Sequence, residues 1–167
     1  MTKKIFRKYL EIESKDNFNQ VKKPSNDVSV ALVDSKDFQL NKFFYKNIGK
    51  NHKWIDRLVW NDQKWIDYVS DKKLLTYILK DKKEIAGYFE LIFYQEALEA
   101  EIAYFGILEE YFGKKLGGYL LSEAIKISFN LGSCRVWVHT CSLDHKNALK
   151  NYQARGMKIF KSETLIS

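Results

Sequence analysis

A glycine- and lysine-rich turn stands at residues 106–118, Gly106-Ile107-Leu108-Glu109-Glu110-Tyr111-Phe112-Gly113-Lys114-Lys115-Leu116-Gly117-Gly118. It joins a run of strand-forming residues to an amphipathic stretch in which Leu116, Leu120, Ala124 and Ile127 share one helical face. A helix start carries four unpaired backbone N–H groups and the positive end of the helix dipole, and together they suit a phosphate. Gly113, Gly117 and Gly118 let the backbone come close to an oxyanion, and Lys114 and Lys115 add charge at the mouth. Tight packing at a helix start calls for the same residues, so composition alone leaves both uses open. The P-loop pattern Gly-x-x-x-x-Gly-Lys-Ser/Thr is absent, as is the dinucleotide pattern Gly-x-Gly-x-x-Gly.

The other reactive side chains are sparse. The chain has three histidines and two cysteines, with no His-x-x-x-His or Cys-x-x-Cys pair, so no metal site is expected. Cys134 and Cys141 fall on one short strand and its exit, where a bridge between them is geometrically unfavourable. His139 alternates on that strand as a core or site residue. His145 follows Asp144, which is placed to cap the next helix. Cys141 with either histidine as base is a conceivable nucleophile, weighed against simple packing.

The elements that position these residues follow from periodicity. Residues 28–34 read as a strand, 37–48 as a helix stopped by Gly49, and 61–68 as a helix capped by Asn61 with Asp62 in its first turn. Residues 74–79, 84–94 and 98–108 form an antiparallel meander. A helix over 113–130, a strand over 134–140, a helix over 144–155 and a strand from 157 to 160 complete the order β-α-α-β-β-β-α-β-α-β. That order predicts one mixed α/β (α+β) domain over residues 1–167, a mostly antiparallel sheet flanked by helices.

Composition narrows the function classes. With 46% hydrophobic and 15% aromatic residues, a core is affordable and wholesale disorder is not expected. The net charge of +7 would suit nucleic acid, an anionic membrane or a phosphorylated small ligand. The lysines, however, are scattered in pairs that read as solvated surface, with no arginine-rich stripe, so nucleic acid is not the expected partner. Residues 1–10 are basic without an apolar centre, and no run reaches the ~18 apolar residues of a membrane span. A cytoplasmic protein without a membrane partner, monomer or homodimer, is expected.

From Glu101 to Met157 the chain resembles the GNAT superfamily of acyl-CoA-dependent N-acetyltransferases. The superfamily signature Gln/Arg-x-x-Gly-x-Gly/Ala falls on Phe112-Gly113-Lys114-Lys115-Leu116-Gly117, with Phe112 and Lys115 departing from it. The segments Glu101-Ile102-Ala103-Tyr104-Phe105-Gly106, Arg135-Val136-Trp137-Val138-His139-Thr140-Cys141, Leu143-Asp144-His145 and Asn147-Ala148-Leu149-Lys150-Asn151-Tyr152-Gln153-Ala154-Arg155-Gly156-Met157 resemble one bacterial branch. That branch usually has proline at the position of Lys146 and phenylalanine at that of Met157. It also tends to carry Trp-x-x-Arg upstream, matched by Trp54 and Arg57.

The resemblance implies acetyl-CoA as cosubstrate, with its pantetheine arm along the backbone of Phe105, Gly106 and Ile107, where the strand 98–108 splays from the strand 134–140. Its pyrophosphate would lie over Phe112, Gly113, Lys114, Lys115, Leu116, Gly117 and Gly118, with Asn147 also at the cofactor. Tyr152 would protonate the leaving thiolate. Glu101 would act as base toward a primary amine, with Glu90 in reserve, and alternation would put Glu101 on one face with Ala103, Phe105 and Ile107. Trp54, Arg57 and Glu90 would build the acceptor wall for a small amine or, alternatively, a peptide. Two other readings stay open: an acyl-CoA sensor without activity, and a basic nucleic-acid-binding module.

Overall fold

The computed structural model describes residues 4–34 and 37–166. Seven strands form one sheet: β1 (Lys4–Ile12), β2 (Val28–Leu32), β3 (Leu74–Asp81), β4 (Glu84–Tyr94), β5 (Glu99–Ile107), β6 (Arg135–Cys141) and β7 (Lys158–Ile166). Four α-helices accompany them: α1 (Phe38–Gly49), α2 (Asp62–Ser70), α3 (Leu116–Asn130) and α4 (Ala148–Ala154). The spatial order is β2-β3-β4-β5-β6-β1-β7, and every neighbouring pair is antiparallel except β5 and β6. The expected mixed, mostly antiparallel sheet flanked by helices is present.

The differences from expectation have local causes. Strand β1 was not foreseen, because Lys4, Arg7, Lys8 and Glu11 break up its apolar pattern; yet it lies between β6 and β7 with Leu10 and Ile12 buried. Helix α3 starts at Leu116 and not at Gly113, since Gly113 (φ 81°) and Lys115 (φ 63°) both adopt left-handed backbone that a helix interior excludes. Helix α4 starts at Ala148. Asp144 does not cap it, because its carboxylate accepts from the Thr140 hydroxyl (2.5 Å) and the Cys141 N–H (3.0 Å) at the exit of β6. Gly49 closes the last turn of α1 from inside the helix.

Two apolar layers hold the sheet. On one face, Leu116, Leu120, Leu121, Ala124 and Ile125 of α3 pack on Phe89, Leu91, Ile102 and Val138, with Tyr152 and Met157 closing the layer. On the other, α1 sets Phe44 flat against Tyr88 (4.7 Å between ring centres) and Ile48 over Gly106. A Cβ at Gly106 would stand 2.5 Å from Ile48 Cγ2, so α1 can sit this close only because residue 106 has no side chain.

The α1 face also holds a buried ion pair. Arg57 Nη1 lies 3.2 Å from Glu90 Oε1, and Glu90 is fully buried. Glu90 further accepts from the Tyr68 hydroxyl (2.5 Å) and from Asn41 Nδ2 (2.8 Å), while the Arg57 N–H donates to the Tyr45 hydroxyl (3.0 Å). The guanidinium lies over the rings of Tyr104 (4.1 Å), Tyr68 (4.2 Å) and Trp60 (4.8 Å). Burial works against the Arg57 charge, but Glu90 and the surrounding hydroxyls outweigh it and hold the group above its ordinary range. Removing one partner of a buried pair strands the other charge, at about 3 to 5 kcal/mol. Glu90→Gln should therefore lower stability by ~3 kcal/mol in urea unfolding, and Arg57→Met on that background should restore part of the loss. A single-variant change below ~0.5 kcal/mol would contradict this role.

Nearby, the Tyr94 hydroxyl donates to Glu101 Oε1 at 2.9 Å. Burial raises the Glu101 carboxyl above its usual range, against the lowering effects of Tyr94 and the Arg57 charge. In the unfolded chain the group titrates near ~4.3, so its folded value lies above its unfolded one. Its contribution to stability is then complete below the unfolded value and is lost as pH rises through the folded value. Glu101→Gln, which keeps an acceptor for Tyr94, should be more stable than the parent at pH ~7, with the gap shrinking toward pH ~4. Thermal melts across this range test it, and a gap independent of pH would refute the burial effect.

Candidate functional site

Strands β5 and β6 run in parallel register only from Glu99 and Arg135 to Ile102 and Val138. Beyond that point β5 stays paired with β4 as far as Ile107, and β6 stays paired with β1 as far as Cys141, so the two strands diverge. The break coincides with an irregularity: Glu90 pairs with Tyr104 but Leu91 with Ile102, which leaves Ala103 as an extra residue in β5. A bulge of this kind bends and twists the strand that carries it. It also reverses the alternation. Ile102, Phe105 and Ile107 face the α3 layer, while Tyr104 faces α1. The expectation that Glu101 shares a face with Phe105 and Ile107 is thereby corrected.

Between the diverging strands opens a cleft of about 970 Å³. Its floor is the edge of β5 from Ile102 to Ile107. One wall is the turn into α3, with Phe112, Gly113, Lys115, Leu116, Gly117 and Gly118, and α4 with its approach supplies Asn147, Asn151 and Tyr152. The first turn of α3 has no side-chain cap, and a Cβ at Gly113 would meet nothing within 4 Å, so this backbone faces open space. Asn151 Nδ2 donates to the Gly117 carbonyl (3.1 Å) and ties α4 to that turn. The opposite wall comes from Ile48 and the loop His52–Asp56, and Arg7 of β1 also lines the cleft.

Most of the residues singled out in the sequence converge here: Phe105, Gly106, Ile107, Phe112, Gly113, Lys115, Leu116, Gly117, Gly118, Asn147, Tyr152 and Trp54 all line the cleft. Four do not. The Lys114 ammonium points away to Asp81 (3.8 Å). Arg57 and Glu90 spend their charges on each other in the buried network, and Glu101 lies with Tyr94. Tyr152 is buried against Phe105, with 6.4 Å between ring centres, and its hydroxyl has no hydrogen-bond partner among the described residues. Burial pushes the phenol above its ordinary range, so at neutral pH it holds its proton and can donate it.

Sequence reasoning passed over His52, Asp56, Arg7 and Asn151. His52, Asp56 and Arg7 sit in no motif, Arg7 lies on the strand that was not foreseen, and Asn151 falls within the segment 147–157 without a role of its own there. Trp54 rests edge-on against Tyr104 (4.9 Å), which places its loop beside the floor of the cleft.

The Acetyltransferase (GNAT) family model matches residues 38–157 of the chain. Among solved structures, a GCN5-related N-acetyltransferase from Sphaerobacter thermophilus superposes with a TM-score of 0.74 at 14% identity, over 97% of this chain and 50% of that one. A GCN5-related N-acetyltransferase from Kribbella flavida gives 0.67 at 13% identity, over 96% of this chain and 56% of that one. An aminoglycoside acetyltransferase from an uncultured soil metagenomic sample, in complex with trehalose, gives 0.64 at 11% identity, over 80% and 90%. The chain thus spans about half the length of the first two. No curated protein matches it. At these identities the structures speak for the fold, whereas the family model covers well over half of the residues, and the chain belongs to the GNAT acetyltransferase family.

Proposed function

We propose that the protein transfers an acetyl group from acetyl-CoA to a small primary amine by direct attack in a ternary complex. The observation that carries this reading is the convergence, in one cleft, of a strand edge, a helix start and a tyrosine hydroxyl that have, among the described residues, no strand partner, no side-chain cap and no hydrogen-bond partner. Acetyl-CoA would supply the acyl group already activated as a thioester. The β5 backbone at Phe105–Ile107 has no strand partner on the cleft side and can bind the amides of an extended arm. The N–H groups over residues 113–118 suit the pyrophosphate, and Asn147 and Asn151 flank it.

Tyr152 serves the leaving sulfur. A phenol that keeps its proton can hand it over as negative charge develops, and the help is greatest in the transition state. Lys115 stands where the family signature has glycine, yet it adopts the left-handed backbone that such a turn requires. That keeps the turn available to the cosubstrate at a cost of roughly 1 to 2 kcal/mol.

The reading is tested by CoA release from acetyl-CoA across small amines, amino sugars, polyamines and short peptides. Release with at least one acceptor supports a transferase, while binding without release favours a silent acyl-CoA sensor. Tyr152→Phe should lower the single-turnover rate ~100- to 10,000-fold with acetyl-CoA affinity nearly unchanged. A rate within a factor of about two of the parent would make Tyr152 a packing residue.

A further inference from the structure

Deprotonating an alkylamine requires a base in the cleft, and neither Glu90 nor Glu101 lines it. Three histidines do, His52, His139 and His145, and their surroundings give them different states. His52 Nδ1 lies 3.3 Å from the Leu143 carbonyl. A carbonyl oxygen can only accept, so Nδ1 carries the proton and the neutral ring keeps a bare lone pair on Nε2. His145 is the reverse: its Nδ1 accepts the Asn147 N–H (3.1 Å), which puts the proton of its neutral ring on Nε2 and makes it a donor. His139 packs on Tyr9 (5.6 Å), toward β1.

We infer that His52 is the base that takes the proton from the acceptor amine, an assignment that rests on the transferase reading above. The ring sits beside Trp54, 6.4 Å between centres, in the same loop as Asp56, whose carboxylate offers an ammonium group an attractive wall. His145 faces the ring at 6.2 Å between centres, and Lys53, Asp56, Tyr104, Tyr111 and Lys146 line the same cleft. Glu109, held by Asn51 at 3.3 Å, stands close by.

The protons balance. The ammonium gives one proton to Nε2, which passes it to solvent. The freed lone pair forms the N–C bond to the acyl carbon, the C–S bond breaks, and the sulfur takes the Tyr152 hydroxyl proton. The second proton leaving nitrogen restores that hydroxyl through water, so one proton is released per amide formed.

Two measurements test the assignment. In protein labelled with 15N at histidine, with His52→Asn to identify the signals, neutral His52 should show a protonated Nδ1 and a bare Nε2. A proton on Nε2 overturns the proposal whatever the activity. His52→Asn also keeps an amide donor for the Leu143 carbonyl while removing the base. With butylamine, spermidine and glycinamide as probes its kcat/KM should fall about 100-fold or more, but with hydroxylamine, already neutral at pH ~7, by less than about threefold. Equal losses with both kinds of nucleophile would assign His52 a positioning role and overturn the base. If the parent protein transfers acetyl to none of these probes, the transferase reading fails and the base role falls with it.

Discussion

The single extra residue in β5 is the constraint on which the site depends. Ala103 has no opposite number on β4, and at that point the parallel pairing of β5 with β6 ends. A regular strand would carry the ladder on to Ile107, and the space now open between the strands would be filled by hydrogen bonds. With the bulge, β5 keeps β4 as a partner on one side and shows its other edge to the cleft. The same residue turns Tyr104 toward the α1 layer, where its ring meets both the Arg57 guanidinium and Trp54. One local irregularity thus opens the cleft and sets the ring on which the opposite wall rests.

That wall needs support, because the segment between α1 and α2 is mostly irregular. The Arg57–Glu90 pair supplies it from beneath, joining the loop to α1 through Asn41 and Tyr45, to α2 through Tyr68 and to β4 through Glu90 itself. Buried ion pairs contribute little net stability but strongly penalise arrangements that separate them. The loop bearing His52, Trp54 and Asp56 is consequently held in register with β5, although few of its own residues are buried.

Much of this was legible in the sequence, and what was not has physical reasons. Strand and helix periodicities located nearly every element between residues 28 and 160, and the glycine turn and Tyr152, both singled out in the sequence, line the one cleft. Strand β1 escaped because its apolar residues are interrupted by Lys4, Arg7, Lys8 and Glu11, and the partner that settles Glu11, Arg135, comes from the neighbouring strand β6. Alternation misplaced Glu101 because a bulge leaves no trace in composition. Arg57 and Glu90 had the residue types of an acceptor site but are neutralised by each other. No spacing rule could reveal that, since they are brought together only by the packing of α1 and α2 on the sheet. His52 was invisible for the opposite reason: it belongs to no motif, and only its bond to the Leu143 carbonyl distinguishes its tautomer.

In the proposed function, the gap between β5 and β6 receives the acyl-CoA. Amide hydrogen exchange with and without saturating acetyl-CoA tests it most directly, because it reads the backbone groups themselves. Residues 105–107 and 113–118 should gain protection together, while the amides of β3 from Tyr77 to Asp81, paired with both β2 and β4, stay unchanged. Protection confined to other segments, or none at saturation, would contradict it.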